Sequence, residues 1–202
     1  MKILITGGAG FIGSHLADLL VSKENDVVAV DNLSLGTMGN INHLINHKKF
    51  KFIKEDLLNE HKLKNIFQEN QFEAVFHLAA NSDIQSSANN PGIDLQNTFM
   101  TTWNLLECCR LFHVSQFVFA SSSAVYGDTA RELSEEDGSL SPVSYYGAGK
   151  LASEAFICAY SSMNNIRSWI IRFPNVVGER TTHGVIYDFI RKLIDTDAFL
   201  FV

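Results

Sequence analysis

The segment Thr6-Gly7-Gly8-Ala9-Gly10-Phe11-Ile12-Gly13 constrains this chain more than any other. An apolar run, Lys2-Ile3-Leu4-Ile5, precedes it, and a helical pattern, Ser14-His15-Leu16-Ala17-Asp18-Leu19-Leu20, follows. Strand, glycine loop and helix in that order turn a weak glycine pattern into a dinucleotide-binding signal. Gly7 allows the tight turn, Gly10 lets a pyrophosphate approach the backbone, and Gly13 lets helix and strand pack closely. The helix start offers unpaired N–H groups and a positive dipole end to phosphates. The glycines are spaced three and three apart, not two and three, which marks a sub-type. A second apolar run, Val27-Val28-Ala29-Val30, ends at Asp31, 18 residues beyond Gly13. An acid there accepts hydrogen bonds from the adenosine ribose hydroxyls and repels a 2′-phosphate, so NAD is expected rather than NADP.

The rest of the chain alternates strand and helix patterns, which implies a doubly wound parallel sheet, a Rossmann-type α/β fold. Strands are expected at 2–6, 27–31, 50–54, 73–79, 116–121 and 167–173, and helices near 12–23, 60–70, 95–112 and 146–163. Segment 32–49 reads as loop plus a short helix, and 127–144 as a long surface loop, a length that tends to be functional. A further helix is expected from Val185 to Ile194. The apolar tail Ala198-Phe199-Leu200-Phe201-Val202 reads as the start of a strand whose partners are absent, as in a fragment. The division is residues 1–178 as a dinucleotide-binding domain carrying the catalytic groups, and 179–202 as the start of an incomplete substrate-binding region.

With 46% hydrophobic and 19% charged residues, the 202-residue chain has the composition of a globular protein. A net charge of −6, without a Lys/Arg run of four, argues against a nucleic-acid partner. Cys108, Cys109 and Cys158 have neither metal-ligand nor redox spacing and read as reduced thiols of a cytoplasmic protein. The apolar start is too short for a signal peptide, and no run approaches a membrane span. No metal is expected, since no His pair has ligand spacing. His15 and His77 read as packing or capping residues, and His43, His47, His61, His113 and His183 as surface. The acidic run from Glu132 to Asp137 reads as a solvated loop. Leu105, Leu106, Leu111 and Phe112 fit a helix face packed on the sheet.

Tyr146-Gly147-Ala148-Gly149-Lys150 places a phenol and an amine four residues apart, on one face of a helix. A phenol titrating near 10 must come down about three units to act as a base at neutral pH. One cation at about 4 Å supplies roughly the 4 kcal/mol required at an effective dielectric of 20. Lys150 is expected to give part of this and an oxidised nicotinamide ring the rest, making Tyr146 and Lys150 an acid–base pair. Tyr145 lies about 100° round the helix and is the poorer candidate. The strand run Phe117-Val118-Phe119-Ala120 delivers Ser121-Ser122-Ser123 to the carboxyl end of the sheet, where such folds bind ligands.

The chain resembles the extended short-chain dehydrogenase/reductase family, and within it the NAD-dependent sugar-nucleotide epimerases and dehydratases. The resemblance rests on Thr6 to Gly13, Asp31-Asn32-Leu33-Ser34, Asp56-Leu57, His77-Leu78-Ala79-Ala80, Asn97, Ser121 to Gly127, Tyr146 to Lys150 and Arg172 to Gly178, in one order. It implies that Gly7, Gly10, Phe11, Ile12 and Gly13 line the pyrophosphate. Asp31 and Asn32 would hold the adenosine ribose, and Asp56 and Leu57 would meet adenine. Leu78, Ala79 and Ala80 would run beneath the nicotinamide half, and Asn97 would also bind the cofactor. Tyr146 would be the base, Lys150 its partner and a ribose ligand, and Ser122 the catalytic serine. Ser122, Ser123 and Asn175 would meet the nucleotide-sugar, Asn175 at its diphosphate.

Two departures narrow the reading. Family dehydratases carry Asp-Glu directly after the catalytic hydroxyl residue, where this chain has Ser123 and Ala124. Neither removes a proton and expels water, and decarboxylases of the family often have Glu where Ala124 stands. A 4-epimerase needs only Tyr, Ser, Lys and NAD, and works through a transient 4-keto sugar. The alternatives are dehydration, another oxidoreduction of a sugar-nucleotide, or an inactive NAD-binding fragment. The second departure is the missing carboxyl-terminal domain. The family's helices near 95–112 and 146–163 commonly form a dimer interface, so the resemblance implies a homodimer. Calorimetric titration is expected to show saturable binding of NAD in preference to NADP. Equal affinity for the two would refute the role given to Asp31.

Overall fold

The computed structural model describes residues 1–81, 84–130, 132–182 and 184–195. Six strands form one parallel sheet: β1 (Lys2–Thr6), β2 (Asp26–Asp31), β3 (Phe50–Lys54), β4 (Ala74–His77), β5 (Gln116–Ser122) and β6 (Arg167–Phe173). Their order is β3-β2-β1-β4-β5-β6, every neighbouring pair parallel. The chain therefore winds outward from β1 to β3, returns to the centre, and winds outward again from β4 to β6. The reversal between β1 and β4 opens a crevice at the carboxyl ends of these strands, the place where doubly wound sheets bind ligands.

The connecting helices are α1 (Phe11–Ser22), α2 (Glu60–Asn70), α3 (Ile84–Asn89), α4 (Gly92–Asp94), α5 (Thr101–Leu111), α6 (Tyr145–Asn164) and α7 (Val185–Asp195). Alternate residues of β1 and β2 point to opposite faces, and each face has its own core. Leu4, Val28, Val30, Val75, Phe117 and Phe119 meet Leu63 and Phe67 of α2, Leu105 and Leu106 of α5, and Ile157 of α6. On the other face Ile3, Ile5, Val27 and Ala29 meet Ala17 and Val21 of α1 with Ile41 and Leu44. Helix ends follow side-chain chemistry. Asn59 accepts from the Lys62 amide to start α2, and Ser144 accepts from the Gly147 amide at 3.0 Å to start α6. Asn165, at φ 56°, ends α6 in the left-handed conformation.

Several details depart from the sequence reading. β4 stops at His77, not 79, because residues 78–80 leave the sheet to meet the glycine loop. The expected helix at 95–112 begins as a π-helical turn over Leu95–Met100 before α5. α3 and α4 were not read from the sequence, whose Ser- and Asn-rich stretch there carries no apolar repeat. Segment 32–49 forms two 3₁₀ turns, Met38–Asn40 and Asn42–Leu44, in place of one short helix. Residues on both sides of the 178/179 boundary pack on α1: Gly178 lies against the Phe11 ring, His15 Nε2 bonds the Glu179 carbonyl at 2.9 Å, and Arg180 pairs with Asp18 at 2.8 Å. The tail 198–202 lies outside the described residues. Among the described residues no helix is long and apolar enough to cross a membrane, and no group of three His, Cys, Asp or Glu side chains is placed to hold a metal ion.

Gly13 fixes how closely α1 approaches the loop. A Cβ there would fall 2.1 Å from the Gly7 carbonyl oxygen and 2.9 Å from Gly8 Cα, both backbone atoms. The partner is thus the glycine loop itself, which refines the expected contact with the strand. Gly13→Ala is expected to lower stability by about 2–4 kcal/mol. Gly10→Ala, whose Cβ would meet only the Gly7 oxygen at 3.2 Å, is expected to cost less. Urea unfolding of both variants checks the order, and equal losses would refute this packing.

Candidate functional site

The crevice is lined first by the β1 loop. Gly7 has φ +70°, and a Cβ on it would lie 2.8 Å from the Ala79 amide nitrogen. The loop therefore abuts Leu78 and Ala79, where β4 has ended, and only glycine permits that conformation together with that approach. Leu78, Ala79 and Ala80 are half-buried along this seam. At Gly10 the outer side is open, since a Cβ there meets nothing within 4 Å but the Gly7 carbonyl oxygen. The first-turn amides of α1, at Phe11 and Ile12, have no acceptor within their own helix. They face the crevice end of the sheet together with a positive dipole end.

At the end of β2, Asp31 is 9% exposed. Its Oδ2 accepts from the Ala9 amide at 3.0 Å and its Oδ1 from the Leu33 amide at 2.8 Å. The carboxylate thus clamps the glycine loop while each oxygen keeps a second lone pair for a hydroxyl. Asn32 donates to Asp56 Oδ2 at 3.0 Å, joining the ends of β2 and β3. The Leu57 side chain belongs to the core, and its carbonyl accepts from Asn104 at 3.0 Å. Any contact Leu57 makes with a base is therefore through the main chain, not the side chain.

The second half of the site is built by α6. Gly147 packs so tightly on the 3₁₀ turn Ser123–Tyr126 that a Cβ would fall 2.6 Å from the Ala124 carbonyl oxygen. That approach brings Tyr146 beside Ser122, whose hydroxyl accepts from the Ala124 amide at 3.1 Å. Tyr146 is half-buried whereas Tyr145 is 51% exposed, so the helix turns Tyr146 inward. Lys150 is 2% exposed; its amine donates to the Ala120 carbonyl at 2.6 Å and lies 4.7 Å above the Phe119 ring. Burial pushes Lys150 down to about 7, against the pull of Asp94 and Glu154 toward the charged form.

One expectation is corrected here. Lys150 was expected to lower the Tyr146 phenol, yet the phenol is raised above its ordinary value. Burial raises it most, the Ser122 hydrogen bond lowers it, and the Asp94 charge raises it further. The Lys150 amine points to Ala120, 5.7 Å from the Tyr146 ring centre, and does not contact the phenol oxygen. Ionising the phenol at neutral pH therefore needs a positive charge brought in from outside the chain.

Glu154 builds the site without having been read from the sequence, and the other predicted residues take the following places. Glu154, one turn beyond Lys150, is 5% exposed. It accepts from Ser121 at 2.5 Å and from Arg172 at 2.8 Å, and Arg172 donates to the Tyr126 hydroxyl at 3.1 Å. His77 is fully buried between Thr6 and Thr102, at 2.7 and 3.0 Å. Thr102 gives its own hydrogen to the Thr98 carbonyl at 2.8 Å, so His77 Nε2 donates to Thr102 and Nδ1 accepts from Thr6. Burial, and then Lys150, hold His77 well below its ordinary value and neutral. Asn97 lies on the π turn, half-buried, its carbonyl accepting from Thr101 at 3.0 Å. Ser123 is half-buried in the turn after β5. Asn175 is exposed, two residues beyond Phe173, the strand partner of Ser122. His183 lies outside the described residues. The spacing Tyr146, Lys150, Glu154 was the available signal for Glu154; Asp94 had none.

The family model described as GDP-mannose 4,6 dehydratase matches residues 4–197. A putative UDP-glucose 4-epimerase of Methanocaldococcus jannaschii is 37% identical over 201 residues, which are 97% of this chain and 64% of the relative. The solved UDP-glucose 4-epimerase of Thermotoga maritima, with UDP-glucose, superposes with a TM-score of 0.90 at 31% identity, covering 96% of this chain and 63% of that one. The UDP-glucose 4-epimerase of Thermus thermophilus, in complex with NAD, gives 0.88 at 32% identity, covering 96% and 63%. The chain thus spans just under two thirds of the length of these relatives.

Burying Lys150 weakens the fold. Its folded value of about 7 lies below the ordinary 10.5, so the unfolded chain binds the extra proton between these pH values. Stability therefore rises with pH across that window, and the cost is complete below about 7. Lys150→Met is expected to stabilise the cofactor-free chain by roughly 2–4 kcal/mol at pH 7, an advantage that shrinks toward pH 10. Urea unfolding at the two pH values checks this, and a variant no more stable than the parent at pH 7 refutes it.

Proposed function

The chain belongs to the extended short-chain dehydrogenase/reductase family, in the sugar-nucleotide epimerase and dehydratase branch, and from that membership we propose that residues 1–178 are the cofactor-binding and catalytic part of an NAD-dependent nucleotide-sugar 4-epimerase. Residues 179–202 then begin its substrate-binding region. The observation that carries the reading is the placing of Tyr146 beside Ser122 and the buried Lys150, at a turn whose Ser123 and Ala124 hold no carboxylate. That pairing supports proton transfer to and from a sugar hydroxyl and lacks the acids that dehydration requires.

The residues fit the dinucleotide. The open side of Gly10, the amides of Phe11 and Ile12 and the close-packed Gly13 offer a place for the pyrophosphate. The free lone pairs of Asp31 suit a ribose, with Asn32, Asp56 and Leu57 beyond it. Leu78, Ala79, Ala80 and Asn97 border the half nearer Tyr146 and Lys150. When bound, NAD would supply a hydride acceptor for the sugar carbon and a positive charge beside the phenol. Tyr146 takes the proton from the 4-hydroxyl and gives it back to the keto oxygen, and Ser122 holds that oxygen by a hydrogen bond. Lys150 supplies an N–H to the ribose and Asn175 an amide to the substrate diphosphate.

A homodimer through α5 and α6 is part of the same proposal. Phe99, Trp103, Phe156 and Tyr160 form an edge-to-face cluster on these elements, with Phe156 38% and Met163 82% exposed. A cytoplasmic location agrees with the thiols of Cys108, Cys109 and Cys158, all free and the first two buried. Tyr146→Phe tests the catalytic reading. Conversion of UDP-glucose to UDP-galactose is expected to fall at least roughly a hundredfold, with NAD binding retained in calorimetry. Turnover that survives this change would refute the assignment of Tyr146.

A further inference from the structure

Asp94 is a buried acid behind the catalytic helix that neither the spacing nor the proposed reaction uses. It ends α4, is 1% exposed, and begins the π-helical turn. Its Oδ1 is held twice, by Asn81 at 3.1 Å and by the Thr98 hydroxyl at 3.0 Å. Among the described residues its Oδ2 accepts no hydrogen bond, although it is buried. A buried carboxylate oxygen without a partner is costly, so its position calls for a charge nearby. Helix α6 runs directly past: a Cβ on Gly149 would lie 3.2 Å from the Thr98 methyl and 3.5 Å from the Asp94 carbonyl oxygen. The residue after Gly149 is Lys150, whose amine is bonded to the Ala120 carbonyl, leaving N–H capacity.

We propose that Asp94 is a positioning residue of the acid–base pair, its unpartnered carboxylate oxygen setting the proton state in which Tyr146 and Lys150 await substrate. The proposal rests on the reading of Tyr146 and Lys150 as that pair. The other charged or titratable groups facing them are Glu154 on α6, His77 from β4 and, through Glu154, Arg172 from β6. His77 is neutral and Glu154 is already paired with Arg172 and Ser121, so among these groups Asp94 is the uncompensated charge. Its field favours the ammonium of Lys150 and the neutral phenol of Tyr146. Removing that charge must therefore move both titrations the same way, to lower pH. A residue that merely packs or hydrogen-bonds would not produce this paired displacement.

The test is NMR titration of the cofactor-free chain, with ¹³C labels at Tyr Cζ and Lys Cε, for the parent and Asp94→Asn. Both Lys150 and Tyr146 are expected to titrate at least about half a pH unit lower in the variant. A smaller displacement, or opposite directions, overturns the proposal. Thr98→Val removes a hydrogen bond to Oδ1 and keeps the charge, so Lys150 should stay in place. If it moves as far as in Asp94→Asn, packing and not charge is responsible, and the proposal fails. Should Asp94→Asn not fold, Asp94→Ser removes the same charge and must likewise move the Lys150 and Tyr146 titrations at least about half a unit lower; no displacement overturns the proposal. These readouts need neither cofactor nor turnover, so they fail independently of the proposed reaction.

Discussion

The contact between the Lys150 amine and the Ala120 carbonyl, 2.6 Å long and closed to solvent, ties the catalytic helix to a central strand. The neighbouring placements follow from it. Tyr146 lies one turn before Lys150 and so must lie over the end of β5, where Ser122 leaves the sheet. Glu154, one turn after, reaches back to Ser121, between those two positions on the same strand. A buried ammonium with one protein acceptor is a destabilising way to join two elements. A methionine of similar volume would join them with less penalty, and in the proposed reading the amine is kept for its work outside the packing. This is the pattern expected where stability has been traded for a reactive group.

A second buried seam runs across the molecule at the same level. The Thr6 hydroxyl at the end of β1 donates to His77 at the end of β4, His77 donates to Thr102 of α5, and Thr102 donates to the Thr98 carbonyl of the π turn. Thr98 donates in turn to Asp94. The line thus begins beside the glycine loop and ends beside the acid–base pair. Each hydroxyl has one hydrogen to give, so the direction from Thr6 to Thr102 is fixed by the acceptor-only Thr98 carbonyl, and the Thr98 hydroxyl separately gives its hydrogen to Asp94. The seam joins the strand that carries the dinucleotide loop to the helix turn that borders Lys150. The π turn belongs to this arrangement, since an extra residue in the helix changes which side chains face α6.

What was legible in the sequence was local. Residues 2–31 could be read because strand, loop, helix and acid follow one another in the chain with fixed periodicities. The Tyr146–Lys150 face could be read because helical spacing is independent of context. What was not legible depends on register or on environment. Nothing near Arg172 in the chain points to Glu154 or Tyr126, and Asp94 lies in a stretch without apolar periodicity. The protonation of the phenol was not legible for the same reason. A lysine four residues away was expected to lower the phenol, but the structure turns that amine to Ala120 and surrounds the phenol with low-dielectric protein. Spacing gives proximity along a helix; it does not give the direction of an amine or the depth of burial.

The adjacent serines show how little sequence distance separates a structural from a chemical role. Side chains alternate along a strand, so Ser121 and Ser122 must face opposite ways at the end of β5. Ser121 is 3% exposed and bonds Glu154, while Ser122 is half-exposed and lies beside Tyr146. The β5–β6 register sets Ser121 opposite Arg172 and Ser122 opposite Phe173. Residues directly opposite on neighbouring strands share a face, which is why one carboxylate, Glu154, can hold both Ser121 and Arg172. A slip of one residue in β6 would turn the arginine to the phenol's side and take it from Glu154. The Glu154–Arg172 pair is formed only in the observed register, because no neighbouring register puts a guanidinium in reach of that buried carboxylate. The pair's contribution is therefore specificity of pairing: it is the element that assigns one serine to the protein interior and leaves the other for a ligand.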